Sequence, residues 1–467
     1  MSENKKIPIY VLTFGMTLAL SAFLGTMDLQ SSIHISHNLG TISLSILYGC
    51  GLLICLFVTP LLLCNLGVKR TLLLGEVGFL VFTLGNFYSG LATMIPGSII
   101  GSMGESLFWP AGISYVNHVF NEYQDSIPDD QKPQDNVKNV WFGRYFGVAK
   151  TSVIWGNLLA YAVLYAARKV GTHSMHNTTL TEFNYNTCGS NFCKVSKNAK
   201  GNHAYNPKSK TSVYILLGVY AAMQLFALLL HFLCLPAVER TRDGKTETQL
   251  SVNTTKETLS SLGRHLCSTK QLLLAPMCFY FGFFVSYAFS DFTRAFVSCT
   301  MGVEKVGLVM AVYGVFNATM SFISTKASQN FGLATVICVI GVFDLSSYLV
   351  QLTFQPTSSS KYWVYAIAAM LGTSDGTWQP TISLTVALNF PVGTELAFGT
   401  ITLWQISAMT IGFILSGRIC LSIRIYLLIG NLVLACIGYT IVERQRRNAK
   451  ITEETELLNG ENDTRSR

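Results

Sequence analysis

The apolar residues of this 467-residue chain are gathered into blocks of roughly twenty, separated by shorter polar stretches. A helix of about 20 apolar residues spans the hydrocarbon core of a bilayer, which is about 30 Å thick. Only 12% of the residues are charged, which is about half the share found in soluble domains. The sequence therefore predicts an all-α membrane protein with twelve transmembrane helices, near 7–26, 43–64, 71–92, 97–120, 141–166, 211–236, 271–291, 306–324, 332–354, 362–388, 397–419 and 421–442.

The first block also has features of a secretory signal. Lys5 and Lys6 precede it, and the small residues of "ALSA" at 19–22 are compatible with a cleavage site. Cleavage would leave eleven spans and would break the internal repeat described below. We therefore interpret this block as a transmembrane helix.

The basic residues indicate how the chain is oriented in the membrane. With the N-terminus inside, 19 Lys and Arg residues lie on the inner side and 12 on the outer side. Seven of those 12 belong to one long loop, 167–210, and long loops weigh little in the positive-inside rule. The pattern predicts that both termini are cytosolic. Because topology accounts for the net charge of +8, we expect no nucleic-acid partner.

A polar, charged segment without apolar periodicity, 237–270, divides the chain. It predicts a cytosolic linker between an N-terminal half, 1–236, and a C-terminal half, 271–443, followed by a cytosolic tail over 444–467. Each half then contains six of the predicted helices.

The two halves repeat each other. In the fourth and tenth blocks an acid, Glu105 or Asp375, precedes a Pro by five residues. The fifth and eleventh blocks each carry "FG" and then a further Gly at the same spacing, Gly156 and Gly412. The tripeptides "NLG" and "NFG" follow the second and eighth blocks. Two parallel six-helix repeats are typical of the major facilitator fold.

Two of the twelve cysteines, Cys188 and Cys193, lie together in the long outer loop as "CGSNFC". The others lie in or beside apolar blocks, where Cys behaves as a small hydrophobic residue. A disulfide between Cys188 and Cys193 suits an oxidising compartment. Zinc is the alternative, but the sequence has no second Cys pair at ligand spacing. The same loop holds a sequon at Asn177, which predicts N-glycosylation.

Several stretches of the sequence resemble the uncoordinated protein 93 family, most closely its homologue A branch. These stretches are "LQSS" at 29–32, "LSILYG" at 44–49, "WGNL" at 155–158, "CGSNFC" at 188–193, "FSDFTRAFVSCTMG" at 289–302, "DGTWQ" at 375–379 and "YLLIG" at 426–430. The similarity runs from the first span to the last. It leaves out the termini, the middle linker and most of the long outer loop.

The resemblance implies the major facilitator fold together with an accessory role. One branch of the family is a regulatory subunit of a two-pore-domain potassium channel, and another escorts Toll-like receptors to endosomes. The implied function is a non-enzymatic regulatory or accessory subunit of an ion channel, in particular a potassium channel. A proton-coupled secondary transporter and a trafficking escort are the alternatives. Transporters of this fold commonly carry an Asp in the loop after the second helix, where this chain has Cys64, which disfavours alternating access.

Charged residues inside spans cost about 2.5–3.5 kcal/mol each on insertion scales, so they are the candidate functional residues. Glu105 and Asp375 lie on the fourth and tenth helices, which line the central cavity of this fold. They indicate either a proton- or cation-sensitive cavity or bonds that hold helices together. At 1.5 Å per residue, Lys150 comes to the depth of Glu105. We therefore expect a Glu105–Lys150 ion pair and an unpaired, protonated Asp375.

Three more candidates, Asp28, Asp291 and Arg294, lie near the outer ends of the first and seventh spans. They could gate the outer mouth or contact a partner, but water is close, and we favour capping and solvation. Glu76 and Asp344 belong to the peripheral third and ninth helices, and we interpret them as structural or partner-facing.

The tail begins with basic residues, which predicts binding to anionic lipid of the inner leaflet. Within "EETELL", Glu453 precedes Leu457 and Leu458 by the spacing of an endocytic sorting signal. This motif predicts a plasma-membrane protein that cycles through endosomes. The sequence contains no phosphate-binding Gly loop, nucleophile elbow or metal-ligand cluster, so we expect neither enzymatic activity nor a cofactor.

Overall fold

The computed structural model describes residues 3–34, 38–88, 90–125, 145, 147–172, 187–193, 210–237, 260, 263–264, 266–357, 359–390 and 394–465. Regular structure in these residues is helical throughout. The N-terminal half contains α1 (Glu3–Ile33), α2 (Leu39–Leu53, continued by a π-helical turn at Ile54–Val58 and by Thr59–Leu66), α3 (Val68–Gly85), α4 (Leu91–Asp125), α5 (Ser152–Thr172) and α6 (Lys210–Cys234).

The C-terminal half repeats this arrangement with six more helices. They are α7 (Thr269–Ser286, continued by the π-helical segment Tyr287–Ser298 and by Cys299–Met301), α8 (Val306–Phe331), α9 (Leu333–Thr353), α10 (Trp363–Asn389), α11 (Thr394–Leu415) and α12 (Leu421–Arg465). The last helix continues through most of the predicted tail. Asn177 and most of the predicted linker lie outside the described residues.

Eight of these helices (α1, α2, α5 to α9 and α12) are long and apolar enough to cross a membrane by length and composition. An α-helix is stable in the hydrocarbon core of the membrane because all of its backbone hydrogen bonds are internal. α3 is more polar, with three charged residues, Lys69, Arg70 and Glu76, among 18. α4 and α10 carry Pro and several Gly and Ser residues, and the apolar part of α11 is short.

The halves meet where α1 packs on α7, α2 on α11 and α5 on α8. α3 and α6 lie against each other at one side of the molecule, and α9 and α12 at the other. Large apolar side chains point outward from these peripheral helices, among them Phe232, Val339 and Tyr426. In a membrane protein such side chains face lipid, so this exposure fits a bilayer-embedded fold.

The internal repeat is visible in side-chain packing. Gly156 of α5 lies so close to the backbone of Ser21 in α1 that a Cβ atom would overlap it. Gly412 of α11 lies equally close to the side chain of Ser286 in α7. Small residues let transmembrane helices approach closely. The two glycines thus have equivalent structural roles in the two halves, as their spacing predicts.

Candidate functional site

Asp375 of α10 is buried and well partnered, which corrects the expectation of an unpaired acid. Its Oδ2 accepts a hydrogen bond from the Tyr313 hydroxyl at 2.5 Å and from Asn317 Nδ2 at 2.7 Å. Both donors lie on α8, one turn apart. The acid therefore joins two helices of the C-terminal half.

Lys150 interacts electrostatically with Asp375, and its Nζ lies 3.4 Å from Ser321 Oγ of α8. The expected Glu105–Lys150 ion pair is therefore wrong. Counting residues gives the depth of a side chain along its helix but not the direction in which it points around that helix. Lys150 points from the N-terminal half toward the C-terminal half, so it links the two.

Glu105 of α4 is half-buried and forms no hydrogen bond or ion pair within the described part of the chain. Its carboxyl lies within electrostatic range of Tyr48 on α2. Although Glu105 and Asp375 hold equivalent places in the repeat, their surroundings differ. Asp375 is the better candidate for coupling between the halves, because a cation from the opposite half faces it.

Asp28 of α1 is fully buried, so the favoured reading of a solvated acid is wrong for this residue. Its Oδ2 accepts a 2.6 Å hydrogen bond from Asn157 Nδ2 on α5. The acid lies about 8 Å below the outer end of its helix, but neighbouring helices cover it from water.

Asp291 and Arg294 are also buried, although they lie near the outer end of α7. Asp291 Oδ2 lies 3.1 Å from Nε of Arg424 in α12, and Ser416 donates to its Oδ1 at 2.7 Å. The guanidinium of Arg424 stacks on the Phe283 ring at 3.7 Å from the centroid. The sequence analysis did not single out Arg424, although it lies within the twelfth predicted span, 421–442.

The outer ends of α1 and α7 are joined by side-chain hydrogen bonds. Ser31 Oγ lies 3.2 Å from Thr293 Oγ1, and Ser298 Oγ donates to Ser32 Oγ at 2.7 Å. These contacts close the seam between the halves on the predicted outer side.

Arg294 continues this seam. Its Nη1 donates to Asn38 Oδ1 at 3.0 Å, which links α7 to the turn between α1 and α2. The guanidinium also lies 5.5 Å from the ring centroid of Phe192, a residue of the long outer loop. Arg294 thus contacts both the turn between α1 and α2 and the loop segment 187–193.

The predicted disulfide within the outer loop is wrong. Cys188 is bonded to Cys299 at the end of α7, and Cys193 is bonded to Cys420 just before α12. Leu421 N also donates to Phe192 O at 2.8 Å. The segment 187–193 therefore belongs to the N-terminal half by sequence but is bonded covalently to the C-terminal half. The spacing of the loop cysteines favoured a local bond, and their partners lay beside apolar blocks, where Cys was taken as a hydrophobic residue.

The peripheral acid Asp344 lies inside the protein and accepts hydrogen bonds at both carboxylate oxygens. Asp344 of α9 accepts hydrogen bonds from Tyr280 and Trp378 at 2.6 Å each, and from Ser374. These contacts indicate a structural role in joining α7, α9 and α10.

Glu76 of α3, the other peripheral acid, lies 2.6 Å from His231 Nδ1 of α6, and His231 Nε2 lies 3.1 Å from Leu12 O. Sequence reasoning did not single out His231. The Glu76–His231 pair connects three helices within the N-terminal half.

The family of the chain follows from comparison with known proteins. The protein family described as "Ion channel regulatory protein UNC-93" matches residues 31–440 of this chain. The chain belongs to the UNC-93 family. This confirms the family that the sequence resemblance indicated, and the match spans both halves of the fold.

Named relatives align along most of this UNC-93 family chain. Protein unc-93 homolog A of Xenopus laevis is 28% identical, with 95% of this chain and 94% of the relative aligned. The Homo sapiens protein of that name is 29% identical, over 93% of this chain and 92% of its own length. The "Putative potassium channel regulatory protein unc-93" of Caenorhabditis elegans is 23% identical over 93% of this chain and 60% of that protein.

Solved structures confirm the predicted fold. A bacterial homologue of the human drug peptide transporters aligns with 96% of this chain and 99% of that chain, at a TM-score of 0.61 and 12% identity. A D-xylose-proton symporter aligns with 93% of this chain and 95% of its own length, at a TM-score of 0.57 and 14% identity. At such identities the similarity concerns the major facilitator fold alone.

Proposed function

We propose that this UNC-93 family protein is a non-enzymatic regulatory subunit of an ion channel, and specifically of a potassium channel. The observation that carries the proposal is the family match over residues 31–440, whose description names ion channel regulation. The printed name of the Caenorhabditis elegans relative adds the potassium channel. The protein would act through helix contacts within the bilayer.

The closed outer seam between the halves is compatible with this proposal. Alternating access requires the outer ends of the halves to separate. Here Ser31 and Ser32 of α1 bond to α7, and Arg294 bonds to Asn38. Separation would break these bonds, as it would in any transport cycle that opens the outer side. A regulatory subunit can act without this separation.

The cellular setting that we propose follows from the termini and the outer loop. The protein resides in the plasma membrane, with glycan on Asn177 and both termini in the cytosol. The basic residues at the inner end of α12 bind anionic lipid. The tail signal at Glu453, Leu457 and Leu458 lets the protein cycle through endosomes.

Proton-coupled transport is the second candidate, and one observation favours it. Lys150 of the N-terminal half faces Asp375 of the C-terminal half. A charge interaction between the halves is one that a transport cycle could form and break. Protonation of Asp375 would remove its charge and weaken that interaction.

Electrical recording from cells that express the chain tests the proposal. The chain is expressed alone and together with two-pore-domain potassium channels, as wild type and as Asp375→Asn. A channel current that changes only on co-expression, in wild type and variant alike, supports the regulatory function. The control variant is Asp344→Asn, which makes the same substitution at a buried acid bonded within the C-terminal half. A pH-dependent current or uptake by the chain alone, abolished by Asp375→Asn and kept in Asp344→Asn, would identify a transporter instead.

A further inference from the structure

Asp28 and Asn157 form a pair in which two oxygen atoms lack donors. Asn157 Nδ2 donates to Asp28 Oδ2 at 2.6 Å and to Val153 O at 2.9 Å. Because a backbone carbonyl can only accept, the second bond fixes the orientation of the amide. Within the described structure, Asp28 Oδ1 and Asn157 Oδ1 are then buried acceptors without a partner. Leaving a buried acceptor unsatisfied is unfavourable, because the group has lost its hydrogen bond to water and gained none in the protein.

The surrounding phenol groups do not supply the missing donor. Tyr48, Tyr220 and Tyr313 lie within electrostatic range of Asp28, on α2, α6 and α8. Each hydroxyl donates to another acceptor. Tyr48 donates to Met27 Sδ at 3.2 Å. Tyr220 donates to Gly156 O at 2.7 Å, and Tyr313 donates to Asp375 Oδ2 at 2.5 Å.

A counter-charge is also lacking. Among the described residues, no Lys, Arg or His side chain forms an ion pair with Asp28. An ionised carboxylate here would be fully buried, with one hydrogen bond and no cation beside it. Burying an ionised carboxylate without a partner costs far more than burying the neutral acid.

Asp344 provides an internal comparison. Three donors from Tyr280, Ser374 and Trp378 cover both of its oxygens. A carboxylate that accepts several hydrogen bonds is stabilised in its ionised form. Asp28 is equally buried, but it accepts one bond where Asp344 accepts three.

We propose that Asp28 is a proton-binding site, which holds a proton on Oδ1 and donates it to Oδ1 of Asn157. The proton is taken from the bulk aqueous phase and returns to it on release. The resulting O–H group donates to Asn157 Oδ1, and Asp28 Oδ1 is then a donor rather than an unsatisfied acceptor. The result is a neutral acid–amide pair that joins α1 to α5. Release of the proton would leave a buried negative charge about one helical turn from Ser31 and Ser32, which bond α1 to α7. Occupancy of this site therefore stabilises the joint between the halves. The proposal is independent of the channel partner.

Infrared spectroscopy of the purified full-length protein tests the proposal. A protonated carboxyl group has a carbonyl stretch that is separate from the bands of carboxylates and amides. In neutral buffer, Asp28→Asn is expected to remove the intensity of one such group. Asp344→Asn, the matched control, is expected to leave that intensity unchanged. The asparagine can reproduce both hydrogen bonds to Asn157, so this variant is expected to fold.

Three further measurements keep the outcome decisive. Asp28→Glu is expected to restore the band at a shifted frequency, and the wild-type band should disappear as the pH is raised. An unchanged band in Asp28→Asn would mean that Asp28 is ionised and would overturn the proposal. Thermal stability that rises with sodium or potassium in wild type but not in Asp28→Asn would overturn it too, because the site would then bind a metal cation.

Discussion

Asp291 and Arg424 form a buried ion pair that joins α7 to α12, with Oδ2 and Nε 3.1 Å apart. Arg424 also donates to Ser286 Oγ at 2.6 Å and stacks on Phe283. The pair lies entirely within the C-terminal half. Although Asp291 was a candidate for gating, these contacts give it a structural role.

Arg424→Gln is therefore expected to lower the free energy of unfolding by about 3–5 kcal/mol, because it leaves the Asp291 carboxylate buried without its ion-pair partner. Arg294 remains within electrostatic range of Asp291. Adding Asp291→Asn should recover part of this loss, since the buried charge is then removed as well. Thermal unfolding of the purified protein in detergent measures both changes. A double variant less stable than Arg424→Gln alone would contradict this account.

The outer disulfides lead to a second prediction. Mass spectrometry of unreduced, protease-digested protein should find Cys188 linked to Cys299 and Cys193 linked to Cys420. Cys188→Ser and Cys299→Ser should destabilise the protein equally, and the double variant no further, since each removes the same bond. A native disulfide contributes about 2–5 kcal/mol. A peptide linking Cys188 to Cys193 would contradict the structure.

The architecture was predictable from the sequence because it depends on length and order along the chain. Spans follow from apolar length, and the repeat follows from spacing, as the matched packing of Gly156 and Gly412 shows. Gly67 and Gly332, which end "NLG" and "NFG", likewise have positive φ angles of 78° and 85°.

The pairing of side chains was not predictable, because it depends on the direction in which each residue points around its helix. Depth alone placed Lys150 beside Glu105, whereas it faces Asp375. Nearness to a helix end suggested water around Asp28, but neighbouring helices cover it. The distant partners Cys299 and Cys420 had no sequence signal that set them apart from other apolar-block cysteines.

His34, just after α1, predicts a dependence of stability on pH. Burial lowers the pKa of its imidazole to about 4, although the hydrogen bond with Asn86 acts in the opposite direction. In the unfolded chain His titrates near pH 6.5, so the unfolded state binds more protons between these values. Stability should therefore fall as the pH drops from about 6.5 toward 4, by about 2 kcal/mol at pH 5.

The control for this effect is His34→Gln, which keeps a polar side chain but cannot become charged. Thermal unfolding at pH 7.5 and pH 5 should show a larger acid-induced loss in wild type than in the variant. Equal losses would mean that His34 is accessible to protons in the folded state. This pH interval includes that of endosomal acidification, so the loss of stability bears on the proposed cycling through endosomes.

The electrostatic interaction between Lys150 and Asp375 predicts an energetic coupling across the two halves. Lys150→Met and Asp375→Asn each remove one partner, so their combined effect on unfolding free energy should differ from the sum by about 0.5–3 kcal/mol. Lys150→Met combined with Glu105→Gln should be additive within about 0.5 kcal/mol. Lys150→Met with Asp344→Asn is the matched control and should be additive as well, because Asp344 bonds to α7 and α10 instead. Coupling to Glu105 but not to Asp375 would mean that Lys150 points into its own half, and the charged link between the halves would then be absent.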